Sequence, residues 1–228
     1  MTGGLPRIVL LGAGGHGKVA LEAVLAMGGF EVAGFVDPAP PGPEVLGVPV
    51  LGGEAVLPRL RAEGVAAAVV ALGGNAVRQR AGERLRGLGF ALPAVLHPSA
   101  LVAPSARIGE GAVVMARAVV GTAARVGALA IVNTGAVLDH DCDIGEAAHV
   151  APGCALAGAV AVGARALVGV GSAVRPGIRI GRDAVVGAGS AVVADVPEGA
   201  VVGGAPARPL RRRRLPAPGD AQAAPGRP

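Results

Sequence analysis

From Leu96 onward the chain keeps a single phase. Every sixth residue from Leu96 to Val192 is Leu, Ile or Val, unbroken over seventeen consecutive hexads. Glycine often follows directly, as at Gly109, Gly121, Gly127, Gly145, Gly163, Gly169, Gly181 and Gly187, and the fifth position is usually small or Val. A period of six matches neither the 3.6 of a helix nor the 2 of a plain strand. It fits short strands separated by corners and wound into a β-helix, three hexads closing one triangular coil. Seventeen hexads give between five and six coils. The aliphatic residue points into the prism, while the glycine and small residues let the chain turn without crowding the next coil. Each coil pairs its backbone with the next, as parallel sheet does.

A thin aliphatic prism accounts for a chain of 228 residues with 39 Gly, 3 Phe, no Trp and no Tyr. Such a chain lacks the aromatic platforms that stack on nucleic acid bases, and its glycines do not recur every third residue as in collagen. The formal charge of +5 comes wholly from residues 208–228, with six Arg against one Asp; residues 1–207 balance at 15 against 15. No nucleic-acid partner is expected of so neutral a body. The Arg211–Arg214 run stands among Pro, Ala and Gly and reads as a solvated tail rather than a phosphate or lipid site. The N-terminus lacks the pattern of a signal peptide. The apolar stretch 147–164 is interrupted by Pro152 and three glycines, so it reads as repeat and not as a membrane span. Two cysteines, Cys142 and Cys154, make neither a disulfide framework nor a metal-site spacing. A cytoplasmic protein is the default expectation.

The N-terminal third has a different grammar. An apolar strand over 7–12 runs into Gly12-Ala13-Gly14-Gly15-His16-Gly17, helical spacing follows from Lys18 to Met27, and Gly28-Gly29 stops it. Strand, glycine turn and helix open a nucleotide-binding α/β unit, where backbone N–H groups and a helix N-terminus approach phosphate. A second strand over 30–36 ends at Asp37, an acid placed to accept from a ribose or base. A helix over 54–61, a strand over 65–72, Gly73-Gly74-Asn75 and a basic helix with Arg78, Arg80, Arg84 and Arg86 complete the unit. About three strands are half of a full dinucleotide fold, and the glycine spacing is one short of its fingerprint. A phosphate ligand such as a sugar nucleotide fits better than a purely structural glycine turn or redox chemistry with NAD. The chain divides into an α/β domain at 1–95, a β-helix domain at 96–207 and a basic tail at 208–228.

Four histidines are available: His16, His97, His140 and His149. His140 is third in its hexad, in Leu138-Asp139-His140-Asp141-Cys142-Asp143, a phase that need not enter the prism. Imidazole titrates near neutrality and can take the proton of an attacking amine or hydroxyl. A neighbouring carboxylate can orient the ring. On the residues alone, a solvated surface histidine and a general base fit equally.

The segments GAGGHGKV at 12–19, HPSA at 97–100, NTGAVLDHDCDIGEAAHVAPG at 133–153 and GAPAR at 204–208 resemble the sugar O-acyltransferase family of hexapeptide-repeat acyltransferases. That family includes sialic acid O-acetyltransferases and bacterial enzymes that N-acetylate UDP- or GDP-linked amino sugars. The resemblance runs from residue 7 to about 208. It implies a small Rossmann-like α/β domain followed by a left-handed parallel β-helix, the hand being the family's, since crossovers are normally right-handed. It further implies a homotrimer, acetyl-CoA held between neighbouring prisms, and a nucleotide-sugar acceptor on the N-terminal domain.

By the same resemblance His140 is the catalytic base and Asp141 its acid partner. The family commonly has Glu there; Asp is one methylene shorter, which leaves Asp139 and Asp143 as rivals. His149 falls at the acetyl-CoA and acceptor cleft. Gly158, one coil beyond His140, places a backbone N–H near the thioester oxygen, in the manner of an oxyanion hole. Gly12, Gly14, Gly15, His16 and Asp37 are the expected acceptor-binding residues. His97 reads as a structural junction, and Asn133-Thr134 as either an acceptor contact or a polar ladder. Direct attack is expected rather than an acyl-Cys142 intermediate, and no metal. The leading expectation is acetyl-CoA-dependent N-acetylation of a nucleotide-linked amino sugar, in the setting of cell-surface polysaccharide biosynthesis. Its rival is O-acetylation of a sialic acid or other sugar hydroxyl. Rivals of another class are a trimeric β-helix scaffold and a γ-carbonic-anhydrase-like metalloenzyme. The latter needs three converging histidines, whereas His140 and His149 differ in hexad phase.

Overall fold

The structure is a computed structural model that describes residues 4–210. The start of the basic tail is ordered, Arg208–Pro209 pairing antiparallel with Val202–Gly203, while the Arg211–Arg214 run and the residues after it lie outside the described residues. Strand β1 (Arg7–Leu11), helix α1 (Gly15–Met27) and strand β2 (Glu31–Val36) come first. A small hairpin of β3 (Glu44–Val45) and β4 (Val48–Pro49), helix α2 (Leu57–Ala62), strand β5 (Ala67–Val70) and helix α3 (Asn75–Gly87) follow. The sheet is parallel with order β2-β1-β5. Helix α1 begins three residues before the periodic apolar pattern does, because Gly15, His16 and Gly17 form its first turn. Gly17 tolerates no side chain there: a Cβ would overlap the Gly12 carbonyl oxygen. Gly28, at φ 72° and ψ −172°, closes the helix in a conformation that glycine adopts freely.

Seventeen two-residue strands then recur every six residues, from Val95–Leu96 to Ala191–Val192. As far as Ala173–Val174 each pairs in parallel with the strand 18 residues on, as Val119–Val120 pairs with Val137–Leu138. Three sheets of six, five and eight strands form the faces of the prism. The aliphatic residue of every hexad from Val114 to Val192 is buried inside. A second inward column is the fifth position, mostly Ala, and it includes Cys142 and Cys154.

The glycines that follow the aliphatic residues prove to be spacing residues rather than turn residues. None of them has a positive φ. A Cβ at Gly145 would stand 2.6 Å from the Ala164 nitrogen of the next coil, closer than real atoms approach. The left-handed residue of each corner lies two positions further on. From Gly111 to Gly189, every sixth residue has φ between 51° and 72°, and it is Leu129, Asp141, Ala147, Arg165 or Asp183 as readily as Gly. Each left-handed non-glycine costs about 1 kcal/mol, which the stacked corner hydrogen bonds offset.

The α/β unit docks on the eight-stranded face. Its α1-side core extends to Val95, Val113 and Met115. Its α3-side core extends to Leu129 and Ala147 on a corner of the prism.

Candidate active site

His140 is the second residue of a four-residue corner, a position that projects outward. Its Nδ1–H donates to Asp141 Oδ2 at 2.8 Å, and both side chains are more than half exposed. Asp141 can reach back because its own backbone is left-handed, at φ 60°. Asp139 is engaged otherwise, its Oδ1 accepting the His140 backbone N–H at 2.8 Å. Asp143 stands on the next strand, paired in register with Arg125. Of the three carboxylates, Asp141 is the one that meets the ring. The hydrogen bond to Asp141 raises the His140 pKa above its ordinary value, and the charge on Asp139 raises it further. With Nδ1 donating, Nε2 carries the lone pair. That edge of the ring faces Gly158, where a Cβ would overlap both Cε1 and Nε2. Cys142, two residues on, points into the prism and donates its thiol to the Ala157 carbonyl at 3.3 Å. Burial pushes that thiol's pKa up, so it is a poor nucleophile.

A second cluster lies where the α/β unit meets the prism. His149, at the start of a strand, accepts at Nε2 from Asn133 Nδ2 at 3.0 Å. Asn133 Oδ1 accepts the Thr134 backbone N–H at 2.8 Å, which fixes the amide. Of the two readings of Asn133-Thr134, the Asn side chain is therefore committed to His149. Burial, then Arg78, then His16 lower the His149 pKa to about 4. His16, on the first turn of α1, is lowered to about 4 by burial and by Arg78. Its Nε2 is buried without a hydrogen-bond partner.

Around the glycine turn, the Asp37 carboxylate accepts the Ala13 N–H and the Ala39 N–H, each at 2.8 Å. It ties the end of β2 to the turn, with lone pairs left over for a further donor. Helix α1 has no side-chain cap and no acid in its first turn. Side chains at Gly14 and Gly15 would meet nothing within 4 Å. The N-terminus of α1 is thus open to an anion. A cavity of about 670 Å³ lies between the 73–76 loop and the β-helix, bounded by Asn75, His149, Leu167, Val170 and Val185 among others.

The chain therefore brings His16, Asn133 and His149 together but leaves His140, Asp141 and Gly158 elsewhere. His140 belongs to the corner column of Thr122, Asp141 and Ala159. The α/β unit sits against the different column of Leu129, Ala147 and Arg165. His97 accepts from Ser99 within the first corner, at 3.1 Å from its backbone nitrogen. Among the described residues no three His, Cys, Asp or Glu side chains form a metal-binding group.

Sequence reasoning passed over Arg78 and Asn75. Arg78 is buried, yet along the sequence it looks like one more cation on a basic helix. A usable signal was the one-turn spacing of Asn75, Arg78, Gln79 and Gly82, which puts all four on one face.

Residues 7–85 match the family model of the PglD N-terminal domain. UDP-N-acetylbacillosamine N-acetyltransferase of Bacillus subtilis (strain 168) is 41% identical over 117 residues, which are 49% of this chain and 52% of that protein. The chain thus spans about half the length of that curated relative. Among solved structures, PerB from Caulobacter crescentus in complex with CoA and GDP-perosamine is 47% identical, with a TM-score of 0.86 over 92% of this chain and 99% of that one. The acetyltransferase domain of PglB from Neisseria gonorrhoeae, in complex with acetyl coenzyme A, is 40% identical, with a TM-score of 0.86 over 91% of this chain and 100% of that one. The fold is the small α/β domain followed by a left-handed parallel β-helix of these acetyltransferases.

Proposed function

Since the chain belongs to the hexapeptide-repeat sugar acetyltransferase family, we propose that it moves the acetyl group of acetyl-CoA onto the amine of a nucleotide-linked amino sugar. The observation that carries this reading is the Asp141-oriented ring of His140 with Nε2 free beside Gly158. Nε2 takes a proton as the amine nitrogen attacks the thioester carbon. The C–N bond forms and the C–S bond breaks, and the departing sulfur takes the proton from the imidazolium as free CoA leaves. The Asp141 carboxylate favours the imidazolium while it exists, and the Gly158 backbone N–H polarises the thioester oxygen. His149 stays neutral at working pH and serves as a fixed hydrogen-bonding group in the acetyl-CoA cleft.

Residues 1–95 hold the acceptor in this reading. The diphosphate lies at the open N-terminus of α1, against Gly12, Gly14, Gly15 and His16, with Asp37 turned to the nucleoside. Residues 96–207 carry the transfer. Two prism corners must meet for the reaction, and a homotrimer brings them together across subunits. One face of the prism supports this, with Leu101, Val119, Val137, Ala155, Ala173 and Ala191 pointing outward in a column. Leu101 is 69% exposed in the single chain. The neighbouring face instead presents Arg107, Arg125, Asp143 and Arg179. Both substrates are cytoplasmic metabolites, which makes the cytoplasm the working compartment, and no helix among the described residues is long and apolar enough to cross a membrane.

The test is incubation with acetyl-CoA and a panel of UDP- and GDP-linked amino sugars, with products read by mass and by amide-specific NMR. One acetyl group on nitrogen, lost in His140→Ala, is the expected result. Transfer to a hydroxyl, or an undiminished His140→Ala enzyme, overturns it.

A further inference from the structure

Helix α3 is bolted to the prism by groups that any sequence possesses. The left-handed corner residues Leu129, Ala147 and Arg165 stand one coil apart, and each has its carbonyl turned toward the helix. Asn75 Nδ2 donates to the Arg165 carbonyl at 2.8 Å. Arg78 Nε donates to Leu129 at 2.8 Å, and Nη2 donates to Ala147 at 2.7 Å. The remaining donors of Arg78 go to the Leu72 and Gly73 carbonyls, both at 3.0 Å, and to Asn75 Oδ1 at 2.8 Å. A guanidinium has five N–H donors, and here all five are used within 3.0 Å. Gly82, one turn on, lets the helix lie directly over Leu129, for a Cβ would collide with its side chain.

This arginine has no carboxylate beside it. It is 1% exposed, and its hydrogen-bond acceptors are carbonyl oxygens of the backbone and of Asn75. Burial lowers its pKa to about 10, so it stays charged at neutral pH. A buried cation held only by carbonyls is a costly way to glue a helix to a scaffold when apolar residues of similar volume serve as well or better. Its position suggests another use. The carbonyls it grips at Ala147 and, at 3.4 Å, Ala148 belong to the two residues before His149. Those at Leu72 and Gly73 belong to the loop that bounds the cavity.

We propose that Arg78 is a positioning residue of the active site, whose five-bond fork sets His149 and the 72–75 loop in fixed relation across the cleft. It acts through His149, so the inference rests on the acetyl-transfer reading for the role of that histidine. The groups facing His149 are Asn133 from the prism, His16 from the glycine turn and Arg78 from α3; the Arg165–Asp183 ion pair lies further round the cavity. Arg78 is the charged one among the first three. Burial first and then Arg78 and His16 lower the His149 pKa to about 4, so the ring keeps its Asn133 hydrogen bond throughout the neutral range.

The experiment compares full-length wild type, Arg78→Met, Arg78→Lys and, as a control, Arg84→Met. Arg84 is on the same helix, paired with Glu54 on the surface. Imidazole titrations are followed by nitrogen–proton NMR, and kcat and KM are measured against pH. In Arg78→Met the His149 titration should rise from about 4 by the share that Arg78 contributes, burial keeping it below the free value, and kcat should gain an acid limb at the new value. Arg78→Lys restores the charge without the fork: the low titration should return, while kcat/KM stays roughly tenfold or more below wild type, the cost of a loosened site. Arg84→Met should move neither readout. A folded Arg78→Met with an unmoved His149 titration overturns the proposal. So does an Arg78→Lys enzyme with wild-type kcat and KM, which keeps the test decisive even where the Met variant does not fold. The titration needs no substrate. If wild type acetylates no nucleotide sugar yet the His149 titration moves, the acetyl-transfer reading fails and the positioning of His149 by Arg78 stands.

Discussion

Replacing Gly158 by Ala separates catalytic geometry from stability in one methyl group. Gly158 does not have a positive φ, and the side-chain atoms of His140 are the nearest atoms to a Cβ built there. The backbone therefore accepts Ala, and such a substitution stabilises by about 0.4–1 kcal/mol through the unfolded state. The collision is with the proposed base. A Cβ would overlap His140 Cε1 and Nε2 and stand 3.1 Å from Cδ2. To restore contacts near 3.5 Å the ring edge must withdraw by about 1 Å. The ring is on the surface and free to swing, so folding is spared. What is lost is the 2.8 Å bond to Asp141 or the alignment of Nε2, since the ring cannot move and keep both. A misplacement of about 1 Å at a reacting atom costs on the order of a hundredfold in rate. Gly158→Ala should therefore unfold at the wild-type temperature or slightly above it, with kcat down by about a hundredfold. Differential scanning calorimetry and steady-state kinetics on one preparation read both numbers. A kcat within about twofold of wild type would refute the placement of the reaction at His140 Nε2.

Asp141→Asn should move the acid limb of the kcat profile to lower pH. A base must be unprotonated, so activity rises with pH through the His140 pKa, which the Asp141 bond holds above 6.5; without that carboxylate the limb shifts down while the plateau falls by up to ~100-fold, as measured by rates between pH 5 and 9. Gly163→Ala should destabilise without touching the chemistry. Its Cβ would stand 2.8 Å from the Gly181 carbonyl carbon of the next coil; a separation forced open there costs about 1–3 kcal/mol, or roughly 2–10 °C in Tm by calorimetry. At Gly171, which is left-handed but open to space, Ala should cost only about 1 kcal/mol, since Ala147 and Ala159 already hold that conformation.

The hexads predict the prism so closely because one rule is written seventeen times: each two-residue strand ends on the aliphatic position read from the sequence. The three-stranded α/β unit was legible for a similar reason, since strand, glycine turn and helix carry their own periodicities. Two things were written less plainly. The glycine after each aliphatic residue looks like a turn signal, yet it serves the next coil; its neighbour 18 residues away in sequence sets its identity. The docking of α3 left almost no trace, because Arg78 and Asn75 bind backbone carbonyls, and every residue has one. Periodicity reports what repeats, and a single side chain gripping the main chain does not repeat. The choice of Asp141 over Asp139 and Asp143 is likewise absent from the sequence pattern, because it turns on the left-handed backbone at residue 141.

His140 and His149 show how one repeat makes two unlike imidazoles. Nine residues are one and a half hexads, so one histidine falls on a corner and the other on a face. The corner leaves His140 in water between carboxylates, which raise its pKa. The face puts His149 beneath the α/β unit, where burial and a buried arginine lower it to about 4. Opposite shifts on the two groups suit them to the different parts proposed for them, His140 exchanging a proton and His149 not. In an acetyl transfer that division has a use. On the proposed reaction, a neutral His149 leaves the proton exchange to His140 alone. The docked α/β unit thus lowers the pKa of a side chain on the prism, first by burying it and then through Arg78.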